Sequence, residues 1–165
     1  MTKAPLILAS KSVARRTMLE NAGLDFEVIP ADIDEQSFKE KDESPEHIAA
    51  TLAQQKALSL SKVNREALVI GSDQILEFEN KIITKAENQK EAWEKLRAFK
   101  GKAHTLISAV ALAQGNQIVW QSVDTATLTM HDFDERFLDD YCAKAGEALT
   151  RSVGAYEIES HGAWL

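Results

Sequence analysis

The sequence predicts an α/β fold, a mixed twisted sheet with flanking helices. Two observations carry that expectation. Short apolar runs alternate with helical stretches through the first hundred or so residues, which is the pattern of parallel βα units. Two long strand-like segments follow, His104 to Leu112 and Gln117 to Met130, with Gln114-Gly115-Asn116 between them as a hairpin signal. At 165 residues, 44% apolar and 27% charged, the chain suits one soluble domain over residues 1–165. No repeat, low-complexity segment or Pro/Gly linker divides it.

Leu6 to Ala9 reads as a buried strand, and Ser12 to Ala22 as a helix stopped by Gly23. Phe26 to Ile29 is a second strand, ended by Pro30. The acidic stretch Asp32 to Glu46 is too poor in apolar residues to be core. Ser44-Pro45 supplies an N-cap and a first-turn proline for a long helix to about Lys62. Ala67 to Ile70 is a strand leading into Gly71-Ser-Asp-Gln74, with Ile75 to Phe78 as its continuation. Glu79-Asn80-Lys81 turns the chain into Ile82-Ile83. Glu87 to Lys100 is an amphipathic helix closed by Gly101. After the long hairpin, Asp132 and Glu135 have capping-box spacing ahead of a helix through Ala143. Val153 to Ile158 is expected as a final strand.

A formal net charge of -7 argues against duplex nucleic acid or an anionic membrane as partner. A phosphate site in such a molecule has to be a local positive pocket. The one cysteine, Cys142, excludes an internal disulfide, suits a reducing compartment and reads as a small apolar helix residue. Lys3 is not followed by a long apolar leader, and no run approaches a membrane span, so the expected location is cytoplasmic. His47, His104, His131 and His161 are scattered without metal-binding spacing. No GxSxG, GxxxxGK[ST] or GxGxxG motif occurs, and Trp93, Trp120 and Trp164 read as packing groups.

The candidate chemistry begins in the stretch Leu6 to Leu19, where an apolar strand runs into Ser10 and Ser12 and then Arg15 and Arg16. A helix N-terminus offers unpaired N–H groups and a positive dipole end, and hydroxyl and guanidinium groups there make a seat for phosphate. The alternative is a serine cap on a surface helix with exposed arginines. Asp73, placed by this reading at a strand end, could hold a divalent metal or orient a water; otherwise it is a turn aspartate. Gly71 beside it would allow close approach of a ligand. Lys85 follows the Ile82-Ile83 strand, Lys56 lies on the helix through Leu52-Ala-Gln-Gln-Lys-Ala57, and Glu35 ends Asp32-Ile-Asp-Glu35. Read singly, Lys56 is a solvated helix lysine and Glu35 part of an exposed acidic loop.

Taken in order, these segments resemble the Maf-type nucleotide pyrophosphatases, relatives in fold of the inosine triphosphatases. The resemblance runs through Leu-Ala-Ser10-Lys-Ser12-Val-Ala-Arg15-Arg16, Asp32-Ile-Asp-Glu35, Gln55-Lys56-Ala57 and Gly71-Ser-Asp73-Gln74. It continues through Thr84-Lys85-Ala86, Gly101-Lys-Ala-His-Thr105 and Val153-Gly-Ala-Tyr-Glu-Ile-Glu159. It implies hydrolysis of a nucleoside triphosphate to monophosphate and pyrophosphate, assisted by a divalent cation (Mg, Mn or Co). By that resemblance Ser10, Ser12, Arg15 and Arg16 bind the triphosphate, and Lys56 and Lys85 neutralise its developing charge. Asp73 is the implied proton acceptor for water, with Glu35 as a metal or water partner.

Gln74 and Glu159 match the branch acting on 7-methyl-GTP rather than the one acting on dTTP and UTP. A carboxylate can accept from the N1–H and N2 edge of guanine, and an amide can read a carbonyl; the alternative for Glu159 is a surface acid in a loop. Ala14 stands where that branch typically has tryptophan, Val13 replaces a usual proline, and Thr84-Lys85-Ala86 replaces Gly-Lys-Pro. Family chains usually continue past Gly162-Ala-Trp164-Leu165 with a further strand and helix. Lower stability, a homodimer across the gap, or a catalytically weak nucleotide-binding protein are the expectations attached to that difference.

Overall fold

The structure, a computed structural model, describes residues 4–39 and 43–165; Lys3 and positions 40–42 of the acidic stretch lie outside the described residues. Strand β1 (Leu6–Leu8) feeds helix α1 (Val13–Asn21), which Ser12 caps by accepting from the Arg15 N–H. Gly23 ends the helix at φ +70°, a conformation that suits a residue without Cβ. Strand β2 (Glu27–Val28) pairs parallel with β1, Leu8 opposite Val28. Helix α2 (Glu35–Lys39) lies in the acidic stretch, where the sequence pattern predicts no element. Its stretch lacks an apolar period because it buries no residue.

Helix α3 (Pro45–Ser61) begins as the Ser44-Pro45 signal predicts, with the Ser44 hydroxyl accepting from the His47 N–H. It buries Ile48, Leu52, Ala53 and Ala57. Strand β3 (Leu68–Phe78) is one continuous strand of 11 residues, parallel to β1 with Val69 opposite Ile7. Asp73 therefore sits in mid-strand, not at a strand end. The apolar residues on both sides of Gly71-Ser-Asp-Gln74 keep the backbone extended through the polar tetrad. Glu79 and Asn80, both at positive φ, return the chain into β4 (Lys81–Ile83), antiparallel to β3.

Helix α4 (Gln89–Phe99) follows, capped by Asn88 and closed at Gly101. Strands β5 (Ala103–Gln114) and β6 (Gln117–Thr129) form the expected hairpin, with Gly115 and Asn116 both at positive φ. The sheet order is β2-β1-β3-β5-β6, with β4 added on β3. Helix α5 (Glu135–Ala145) is capped by Asp134, not Asp132: the Asp134 carboxylate accepts from the Phe137 N–H at 2.8 Å. Short helices α6 (Ala148–Arg151) and a 3-10 turn (Gly162–Trp164) complete the order.

The expected strand Val153 to Ile158 is absent; the segment is a series of turns. Ala155 is left-handed at φ +60°, and a Cβ on Gly154 would lie 2.5 Å from the Tyr156 ring, so the chain doubles back on itself. The Ser160 and Gly162 N–H groups then both donate to the Glu157 carbonyl.

Two compact units emerge, Met1–Gln74 with Ile107–Asp124, and Ile75–Leu106 with Thr125–Leu165. In the first, Ile7, Leu8, Ile48, Leu52 and Val69 are buried. In the second, the core gathers Leu76, Leu96, Phe99, Leu138, Tyr141 and Leu149. Cys142 packs against that core from α5, and burial pushes its thiol up. Trp93 packs there too and donates to Asp139 at 2.8 Å. No helix among the described residues is long and apolar enough to cross a membrane.

Candidate active site

The first unit gathers most of the residues singled out from sequence. Ser10, just past β1, is buried; its hydroxyl accepts from the Ser12 N–H at 3.2 Å and from Arg15 Nη1 at 3.1 Å. The same Nη1 donates to the Ser72 carbonyl at 2.9 Å, which ties the start of α1 to β3. Burial pulls the Arg15 guanidinium below its ordinary value, against the opposing charges of Asp73 and Glu35. Arg16 does not join this cluster: its Nε is paired with Glu20 at 2.7 Å on the exposed side of α1. Residues 15 and 16 point about 100° apart on a helix, so only one of them can face β3. Ala14 is exposed.

At the centre lies Lys56. Its Nζ is 2.6 Å from Asp73 Oδ1, 2.8 Å from Glu35 Oε1 and 3.5 Å from the Ser72 carbonyl. Lys56 and Asp73 are 6% and 4% exposed, so this ion pair is nearly out of water. Taking two charges out of water costs several kcal/mol per ion, and their attraction does little more than repay it. Fold stability alone is therefore a poor reason for the pair. A Cβ on Gly71 would lie 2.1 Å from the Ala53 carbonyl oxygen and 2.5 Å from the Ala57 nitrogen. The close approach that Gly71 allows is thus to the backbone of α3, on either side of Lys56. Helix α3 itself fills that space.

Asp73 Oδ2 is buried and has no hydrogen-bond partner among the described residues. A buried carboxylate oxygen without a donor is costly, and the arrangement makes sense where a ligand supplies the missing partner. Glu35 Oε2 faces Lys39 Nζ at 3.5 Å, so the charges alternate from Lys39 through Glu35 and Lys56 to Asp73. Among the described residues no group of three or more His, Cys, Asp or Glu could hold a metal unaided. A hard cation bound by one or two carboxylates and completed by phosphate oxygens fits Asp73 and Glu35. Gln74 is exposed, and its amide donates to Ser108 Oγ at 3.0 Å.

The other two sequence candidates lie in the second unit. Lys85 is exposed just after β4, and Glu159 is exposed in the turns that end the chain.

The family described as Maf-like protein matches residues 5–165. This chain belongs to the Maf-like family. The Maf-like chain is 41% identical over 167 residues to a 7-methyl-GTP pyrophosphatase of Rhizobium meliloti, covering 99% of the chain and 84% of that protein. It is 44% identical over 164 residues to a nucleoside triphosphate pyrophosphatase of Granulibacter bethesdensis, covering 97% and 83%. Among solved structures it is similar to a HAM1 protein from Coxiella burnetii, at 14% identity and a TM-score of 0.45 over 98% of both chains.

Two groups of this cluster escape a reading by residue type. The Ser72 carbonyl is backbone and leaves no trace in composition. Lys39 is four residues from Glu35, a legible helical spacing only once α2 is known.

Burial raises the Glu35 carboxyl, but the hydrogen bond and charge of Lys56, with those of Lys39, outweigh it and hold it below its ordinary 4.5. A depressed folded value means that Glu35 stabilises the native state fully above 4.5 and loses this as pH falls through its folded value. Glu35→Gln is expected to lower the urea midpoint at pH 7 but to narrow its gap from the parent chain as pH drops below 4.5. A midpoint difference that stays constant over that range would break the link to Lys56.

Proposed function

We propose that this Maf-type nucleoside triphosphate pyrophosphatase acts on 7-methyl-GTP, cleaving between the α- and β-phosphates to give the monophosphate and pyrophosphate. It is a hydrolase. The observation that carries the reading is the divided state of Asp73: Oδ1 is pinned by Lys56 while Oδ2 is buried and free. A carboxylate fixed through one oxygen presents the other as a proton acceptor without losing its orientation. The free oxygen takes a proton from the attacking water, with no covalent enzyme intermediate. Ser10, Ser12 and Arg15 supply hydroxyl, helix-terminus N–H and guanidinium donors to the triphosphate. Lys56 and Lys85 offset charge as it builds on the phosphoryl oxygens. Arg16, paired with Glu20 on the exposed side, is left out of this set.

A divalent cation (Mg, Mn or Co), held by Asp73 and Glu35, would polarise the phosphoryl group as a Lewis acid. For base choice, Glu159 accepts from the N1–H and N2 edge of the purine and Gln74 donates to its carbonyl. The name of the Rhizobium meliloti relative supports this choice, as does an equally named relative of Brucella suis at 40% identity. On this reading the protein works in the cytoplasm, where Cys142 needs no disulfide partner and the net charge of -7 disfavours duplex nucleic acid.

The test is pyrophosphate release from 7-methyl-GTP, GTP, dTTP and UTP with each of the three cations. Preference for 7-methyl-GTP is the expected result. Preference for dTTP and UTP would instead assign the chain to the pyrimidine branch and remove the roles given to Gln74 and Glu159.

A further inference from the structure

The second unit holds a buried polar pair that the proposed reaction does not use. His104, near the start of β5, is 2% exposed, and its Nε2 lies 2.6 Å from the Tyr156 hydroxyl. Phe99 stacks on the imidazole at 5.1 Å, and the second ring nitrogen, Nδ1, is buried without a partner among the described residues. Burial pushes the imidazole down and the phenol up to about 12, so both are neutral at pH 7. A buried pair that leaves one ring nitrogen unsatisfied is a poor device for stability, since an apolar pair of the same shape avoids that cost.

What the pair does hold is the turn segment 153–159. Tyr156 is the deepest large side chain of that segment, and Tyr141 Oη donates to the adjacent Ala155 carbonyl at 3.4 Å. Arg151 grips Glu157 through two hydrogen bonds of 2.9 Å each. Glu159 itself is exposed two residues further on, so its orientation depends on this anchored backbone.

We propose that His104 is a positioning residue that acts through Tyr156 to fix the turn carrying Glu159, and so sets recognition of the purine base. The inference rests on Glu159 as the base-reading group. A turn ordered before binding presents its carboxylate without the entropy cost of ordering it in the complex, and that saving appears in substrate affinity. Base contacts made equally in the ground and transition states alter KM and leave kcat alone.

The experiment compares Tyr156→Phe, His104→Leu, His104→Gln and Glu159→Gln, each assayed on 7-methyl-GTP and on UTP, whose base lacks the purine edge. Tyr156→Phe keeps the ring and removes only the hydroxyl. It is expected to raise KM for 7-methyl-GTP about tenfold, the scale of one lost hydrogen bond, with kcat and the UTP constants unchanged. His104→Leu should match it, and His104→Gln, which keeps a polar group for the hydroxyl, should recover most of the loss. A parallel rise in KM for both nucleotides, or a fall in kcat, overturns the proposal in favour of a merely structural pair. If Glu159→Gln raises KM for 7-methyl-GTP while Tyr156→Phe does not, positioning by His104 is overturned and the base reading stands. If Glu159→Gln leaves that KM unchanged, the base reading itself fails and takes the inference with it.

Discussion

Asp73→Asn is expected to lower kcat by about three orders of magnitude, the middle of the range that one positioned general base contributes. The amide keeps the shape of the side chain and an oxygen for the Lys56 ammonium, so the ion-paired geometry changes little. What disappears is proton affinity at the free, buried Oδ2 position. With the cation, which Asp73 shares with Glu35, supplied at saturation, KM should move less than kcat, because the phosphate donors Ser10, Ser12 and Arg15 are untouched. Steady-state kinetics beside a thermal melt decides the matter. Full turnover by Asp73→Asn would show that the base has been assigned wrongly. Loss of turnover matched by a large drop in melting temperature would instead assign Asp73 to holding Lys56 in the fold.

The second large effect belongs to a residue with no side chain. Gly71→Ala puts a methyl group 2.1 Å from the Ala53 carbonyl oxygen, far inside van der Waals contact and against backbone, which cannot swing aside. Helix α3 must move off β3, and a destabilisation of about 3 kcal/mol is expected, the upper range for overpacking. Since Lys56 lies between Ala53 and Ala57, the same shift draws its Nζ away from Asp73 and Glu35. Activity should therefore fall in the fraction that still folds. Urea unfolding followed by single-turnover kinetics on the folded protein measures both losses. Parent-like turnover in the folded fraction would separate the helix contact from the chemistry.

Much of the scaffold was legible because local chemistry signals it. Ser44-Pro45 marks the start of α3, and Gly115-Asn116 marks the β5–β6 turn, each through backbone preferences that act at short range. The site was legible as a set of residue types but not as geometry. Lys56 looks like any helix lysine until α3 is known to press against β3; the trace of that contact is Gly71 facing Ala53 and Ala57. The apolar content of Val153 to Ile158 reads as a strand, while the left-handed Ala155 and the tight Gly154–Tyr156 contact turn the chain instead. Helix α2 left little apolar signal because ions hold it: Glu35 reaches both Lys39 and Lys56. Arg15 and Arg16 are adjacent in sequence, but helical geometry turns only Arg15 to Ser10 and Ser72 and leaves Arg16 beside Glu20.

The contact between Gly71 and α3 also binds catalysis to cooperative folding. Lys56 meets Asp73 only when helix and strand are fully seated, so a partly folded first unit has no half-built catalyst to offer. Turnover is in that sense an optical probe without a chromophore. Followed through a denaturant titration, it should vanish in step with the helical signal, as expected when one transition governs both.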